Sequence, residues 1–322
     1  MKPWSVARCL LIIVLVAALP VQAKGDSEVL VLTSLPATYS IASALAQGTH
    51  IRVANLPSEG RPMNALARYF EKPGQDVLTL LREADAVVTI GKLWREDPLF
   101  AAARAQNIRV IDIDATEPYS STMPGIALVR SPAGRAPWEK TDASIATTQD
   151  GASPYFWLSP SNGARAAEIV AQDLARLAPG DAERISQNLA AYRRKLFDLK
   201  QAYEAKLAEL ENVAVFALAT DFAYLTTDLG VFVDGYFVRQ DIEWTPADIE
   251  AFRKHLASRG IRVVIHKWEP SEAIQQAVKA AGATLIVLRP GESFAAQGTP
   301  REESYTADLE SNLSALYSAL SK

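Results

Sequence analysis

The chain has 322 residues and a formal net charge of −4, with 49% apolar and 22% charged residues. That balance excludes a general nucleic-acid binder, which would be basic. The length favours two ordinary domains over one large core, and the composition is that of a globular protein.

Residues 1–23 read as a cleaved signal peptide. Lys2 and Arg8 supply the positive start, and Cys9 to Leu19 is an apolar run too short to span a bilayer. Pro20 breaks that run, and Val21-Gln22-Ala23 fits the small-x-small cleavage rule, which makes Lys24 the expected new N-terminus. Cys9 is the only cysteine and lies inside this segment, away from the cleavage site. Residues 24–322 therefore offer no disulfide, no Cys-ligated zinc and no Cys nucleophile. A thiol-free chain suits an oxidising envelope compartment, so the expected location is the periplasm. No second apolar stretch is long enough to cross a membrane.

Val29 to Thr33 is a β-branched apolar run, Tyr39 to Ala46 has helical spacing, and Ile51 to Ala54 reads as a strand. Gln75 to Arg82 is a predicted helix, Ala86 to Ile90 a strand, Leu99 to Gln106 a helix and Arg109 to Ile113 a strand. Alternation of this kind builds a parallel sheet. From Thr116 to Gly151 the chain is rich in Ser, Thr, Pro and Gly, with short strands expected near Gly125 to Val129.

The stretch Ser153 to Pro160 (SPYFWLSP) closes that irregular segment. If it is extended, Tyr155 and Trp157 share one face and Phe156 points the other way. Ser159 then caps a helix with Pro160 in its first turn. Apolar residues at Ala166, Ile169, Val170, Leu174 and Leu177 mark one helix face. Pro179-Gly180 breaks it, and Asp181 caps a second helix running to about Leu210. Leu189, Tyr192, Leu196, Leu199, Tyr203 and Leu207 recur on it every three or four positions. This helix is expected to be a spine, because a new α/β pattern starts where it ends. Strands are predicted at Val213 to Leu218, Val231 to Val233, Ile261 to His266 and Thr284 to Leu288. Helices are predicted at Phe222 to Leu229, Thr245 to Ser258, Ser271 to Ala281 and Glu302 to Leu320. The fold class is α/β: two parallel-sheet lobes (24–178 and 212–322) joined by one long rigid helix (179–211). A ligand cleft is expected between the lobes, near the carboxyl ends of the strands.

No catalytic arrangement stands out: there is no nucleophile elbow, phosphate loop or dinucleotide fingerprint. The expectation is that the protein is not an enzyme. His50, His255 and His266 lie at no metal-ligand spacing; only His266, at a strand end, is expected to face the cleft.

In order and spacing, these pieces resemble the periplasmic zinc- and manganese-binding proteins of ABC transporters, over nearly the whole of residues 24–322. The matching segments are Val31 to Ser34 with Tyr39 and Ile41, Ala84 to Val88 leading to Gly91 and Trp94, and Tyr155 to Pro160. Asn188 to Tyr192, Thr220-Asp221, Glu303 to Tyr305 and Asn312-Leu313 complete them. The resemblance implies two lobes on a rigid helix, a small ligand, and a permease partner in the inner membrane.

The family's metal ligands are replaced. Its histidine and carboxylate positions fall on Met63, Tyr155, Thr220 and Arg289, with a further second-lobe Glu near Lys267 or Glu269. Zn²⁺ favours imidazole, thiolate and carboxylate, and a guanidinium stays charged. A bare zinc or manganese site of the family's kind is therefore not expected, although a rearranged site from His266, Glu269 and Met63 is a rival. The cleft candidates are Arg61, Met63, Tyr155, Trp157, Thr220, Asp221, His266, Lys267, Glu269 and Arg289. Arg61, Lys267 and Arg289, with Tyr155 and Trp157, suit an anionic or chelated ligand such as a metal complex. The alternative function is a non-transporting accessory or interaction protein on the same scaffold.

Overall fold

Val29–Thr33 forms β1, and all but its first residue are buried, as expected of a strand covered by helices on both faces. The computed structural model describes residues 28–139, 151–295 and 298–322; the expected signal peptide lies outside them. After β1 come α1 (Pro36–Ala46), β2 (Ile51–Asn55), α2 (Met63–Glu71) and α3 (Gln75–Glu83). β3 (Ala86–Thr89), α4 (Leu99–Gln106) and β4 (Ile111–Asp114) complete the first lobe. Its four strands are all parallel, in the order β2-β1-β3-β4.

Two expectations change here. The sequence reading leaves 55–74 without an element, yet α2 forms there and buries Met63, Leu66 and Phe70 on one face. Its signal is only two turns long between Pro- and Gly-containing loops. The strands expected near Gly125 to Val129 do not form. Instead the Asn162 side chain accepts from Ala127 N at 2.9 Å and donates to Ala127 O at 2.9 Å. A side-chain amide thus replaces the strand partner.

α5 (Pro160–Leu177) begins as its sequence predicts, with Pro160 in the first turn and Ser159 Oγ accepting from Asn162 N at 3.0 Å. A 3₁₀ turn (Pro179–Asp181) leads into α6 (Ala182–Ala208), whose 27 residues span about 40 Å at 1.5 Å rise. Asp181 makes no capping bond to this helix. Its carboxylate accepts from His50 N at 2.9 Å and lies 3.1 Å from His50 Nδ1, tying the start of β2 to the spine.

The second lobe repeats the plan: β5 (Ala214–Ala217), α7 (Ala223–Asp228), β6 (Phe232–Tyr236), α8 (Pro246–Arg259), β7 (Val263–His266), α9 (Glu272–Ala280), β8 (Thr284–Val287) and α10 (Ser304–Leu320). Its strands are parallel in the order β6-β5-β7-β8. α8 ends at Gly260, whose φ of 64° is the left-handed cap the sequence calls for.

The lobes are not separate globules. One continuous apolar cluster runs from Val31, Ile41 and Leu66 through Trp157, Ile169 and Leu196 to Val215, Ile265, Leu309 and Leu316. α10 follows lobe two in the chain but packs on α1 and α6. Ser40 Oγ on α1 donates to Arg301 O at 2.9 Å and accepts from Tyr305 N at 3.3 Å. The closest approach is at Gly163 of α5, where a Cβ would sit 2.1 Å from the Tyr305 hydroxyl oxygen.

That hydroxyl is buried without a partner among the described residues. Gly163→Ala is therefore expected to cost about 1–3 kcal/mol through overpacking, read as a lower urea midpoint. Adding Tyr305→Phe, which removes the colliding oxygen, is expected to restore part of that loss. Full additivity of the two changes would contradict the contact.

Candidate functional site

In each sheet the chain runs outward in both directions from its first strand. The crevice at that switch lies beyond the carboxyl ends of β1 and β3 in one lobe and of β5 and β7 in the other. The second pair of strands delivers Asp221, four residues past β5, and Lys267, the first residue past β7. Lys267 Nζ donates to Asp221 Oδ1 at 2.8 Å, and the Asp221 side chain is nearly buried. Thr220, beside Asp221, is half-buried.

Tyr155 enters from the stretch between the lobes. Residues 156–158 form a 3₁₀ turn rather than an extended strand, because Leu158 N donates to Tyr155 O at 3.1 Å and Ser159 N to Phe156 O at 3.1 Å. Tyr155 and Trp157 still meet, edge to face, with centroids 5.5 Å apart. Their roles diverge. Trp157 is 1% exposed and its indole donates to Pro290 O at 2.8 Å, so it belongs to the core and not to the cleft surface. Tyr155 is half-buried and its hydroxyl donates to Glu292 Oε1 at 3.3 Å. Burial first, then the carboxylates of Asp221 and Glu292, push that hydroxyl far above the ordinary phenol range. It stays protonated and acts as a donor, with no nitrogen lone pair to offer a metal.

Glu292 is the residue the sequence reading misses. The same Oε1 also accepts from Met63 N at 3.0 Å. A carboxylate of lobe two thus caps helix α2 of lobe one, which has no side-chain cap of its own. Met63 contributes only this backbone group; its side chain is buried in the shared core.

Arg289 also departs from expectation. It ion-pairs with Asp308 and donates to Phe294 O at 2.8 Å, while Asn312 clamps its backbone through two 2.8 Å bonds. It braces the 289–294 loop rather than standing as a loose cation in the cleft. Arg61 lies 3.4 Å from Glu59 and over the Tyr69 ring at 5.3 Å. The three expected cations are therefore each paired. Of the rival set His266, Glu269 and Met63, Glu269 is exposed while His266 and Met63 are buried. Among the described residues, no group of three or more His, Cys, Asp or Glu side chains is placed to hold a metal ion.

His266 ends β7 as predicted. It is 2% exposed, with Nδ1 unpartnered among the described residues and its ring 4.2 Å from that of Trp268. His50 and His255 each pair with a carboxylate, of Asp181 and Asp234 respectively, and lie outside this group.

Two parallel four-stranded α/β lobes with α5 and α6 between them, and a group of polar side chains (Tyr155, Glu292, Asp221, Lys267) contributed by both sides, fit the class of bilobal α/β binding proteins. Residues 31–319 match the family described as zinc-uptake complex component A, periplasmic (ZnuA), and the chain belongs to it: the zinc-binding solute-binding proteins of ABC transporters. The zinc-binding protein AdcA of Streptococcus pyogenes serotype M6 is 26% identical over 167 residues, 51% of this chain and 32% of that protein. The similarity thus spans about a third of the length of such curated relatives. Solved structures share the fold. An FpvC mutant from Pseudomonas aeruginosa superposes with a TM-score of 0.71 at 19% identity, covering 91% of this chain and 99% of that one. Zn(II)-bound AdcA from Streptococcus pneumoniae gives 0.68 at 20%, covering 92% and 58%. Among the described residues, no helix is long and apolar enough to cross a membrane.

Two predictions follow from these contacts. Gly291 has a φ of 78°, and a Cβ on it would lie 2.8 Å from Trp157 Nε1. Gly291→Ala is expected to destabilise the fold by about 1–3 kcal/mol, measured by denaturant unfolding.

For His266, burial pushes the imidazole down to about 4, with Asp241, Lys267 and Asp221 as smaller influences. The unfolded chain takes up a proton below about 6.5 that the fold refuses, so stability falls as pH drops from about 6.5 towards 4. The loss is roughly 2 kcal/mol by pH 5. Asp97, pushed up to about 6 by burial, acts in the opposite sense. The His266 contribution is therefore the difference between wild type and His266→Gln, which is expected to show the shallower fall.

Proposed function

We propose that this protein is an extracytoplasmic receptor that delivers a metal-related ligand to an inner-membrane ABC permease. Its cleft takes the metal as part of a complex and not as a bare divalent ion. Family membership supports the receptor role. The departure from bare zinc rests on one observation: the polar groups at the cleft already satisfy each other. Tyr155 donates to Glu292, Glu292 caps Met63, and Lys267 neutralises Asp221. A Zn²⁺ ion would have to break these pairs and would find no imidazole at the positions of Met63, Tyr155 or Thr220. A ligand carrying its own donors brings a metal whose coordination is already met. Such a ligand needs only hydrogen bonds and one exchangeable cation from the protein.

Elemental analysis of the purified protein is expected to show far less than one zinc or manganese per chain. Added Zn²⁺ or Mn²⁺ is expected to leave Tm unchanged, whereas a ligand at 100 times its Kd would add about 2.7 kcal/mol of stability. Near-stoichiometric metal together with a raised Tm would overturn this reading. Indifference to both free and chelated metal would instead favour the accessory-protein role.

A further inference from the structure

Beyond the Asp221–Lys267 pair, lobe two presents apolar side chains to water at the carboxyl ends of its strands. Ile242 is 90% exposed and Trp268 41% exposed. They lie on loops that follow two lobe-two strands, Ile242 after β6 and Trp268 after β7, the latter a strand of the crevice. Neither loop is frayed. Residues 241–243 form a 3₁₀ turn closed by reciprocal bonds between Gln240 and Glu243. The Asp241 carboxylate accepts from Ser271 N at 2.5 Å and from the Trp268 indole at 3.4 Å. The buried His266 ring backs the indole at 4.2 Å. The polar groups of these loops are spent on holding an indole and an isoleucine at the surface, where burial would otherwise be favourable.

Lys267 connects this rim to the cleft. Its Nζ lies 5.5 Å from the Trp268 ring centroid and 2.8 Å from Asp221 Oδ1. A single ammonium thus touches both an aromatic face and the buried carboxylate of the crevice. An anionic ligand that draws Lys267 from Asp221 lies next to the indole, with Ile242 one residue from the carboxylate that holds the ring. A bare ion has no surface to cover this rim.

We infer that Trp268 and Ile242 form a rim subsite for the aromatic part of an anionic metal chelate, with Lys267 as its charge contact. This inference rests on the chelate reading above and names the chemistry that reading requires: an organic anion with a flat apolar portion.

The test uses the full chain and isothermal titration with two probes: the ferric complex of a bidentate catechol, and ferric citrate, which has no ring. The catechol complex is expected to bind the wild type more tightly than the citrate complex. Trp268→Ala is expected to weaken the catechol complex at least tenfold and leave citrate unchanged, while Trp268→Phe retains most of the binding. An unchanged Tm for Trp268→Ala shows that the fold is intact. Catechol-complex binding indifferent to Trp268→Ala would overturn the rim subsite and leave the chelate reading standing, with the rim then fitting a protein partner. Equal loss of both complexes would also overturn it. Binding of neither complex by the wild type would remove both readings together.

Discussion

The indole N–H of Trp157 reaches across the molecule to Pro290 O, and the groups of the cleft take their places from that bond. It fastens the stretch entering α5 to the loop between β8 and α10. On one side it sets Tyr155 two residues away; on the other it sets Glu292 two residues away, and these meet at 3.3 Å. Gly291 lies directly under the indole, at a position where a side chain has no room. A fully buried indole with its polar atom satisfied combines a large apolar contribution with a fixed direction. The Arg289–Asp308 pair and the Asn312 clamp hold the other end of the same loop.

The electrostatics of the cleft follow from this bracing. Here the carboxylates of Glu292 and Asp221 are already engaged, one by a helix N-terminus and a phenol, the other by an ammonium. A carboxylate compensated in this way is a poor trap for a dication, because each bond gained is offset by one lost. The Lys267–Asp221 pair is the exception in kind: its Lys side chain is partly exposed, so it can trade partners where the buried contacts cannot.

The legible parts of the sequence were those whose physics is local. Ser159 and Pro160 announce the start of α5 because capping needs only the next three residues. Gly260 ends α8 for an equally local reason. The alternation of strands and helices gave both sheets, since parallel strands demand crossovers. α2 was missed because two turns of helix between Pro- and Gly-containing loops carry little periodicity. Glu292 was missed because its partners are 229 and 137 residues away in the chain. The family resemblance puts Arg289 among the second-lobe ligand positions, with Thr220 and Lys267 or Glu269. It could not show that the guanidinium turns back to Asp308 while the carboxylate three residues on reaches the cleft. Trp157 was placed in the cleft by its proximity to Tyr155, but a 3₁₀ turn sends the two side chains to different surroundings.

The apolar cluster that threads both lobes has a mechanical consequence. Receptors made of independent lobes signal loading by swinging shut on a hinge, a motion cheap only where few apolar contacts cross the boundary. Here Trp157, Tyr305 and Leu309 lie in a core common to both lobes, and parting them would tear close-packed surface into water. Loaded and empty molecules of such stiffness differ little in shape. On the receptor reading proposed above, what would distinguish them to a docking protein is local: the state of the Lys267–Asp221 pair, the loops around it, and whatever surface the cargo adds at the mouth.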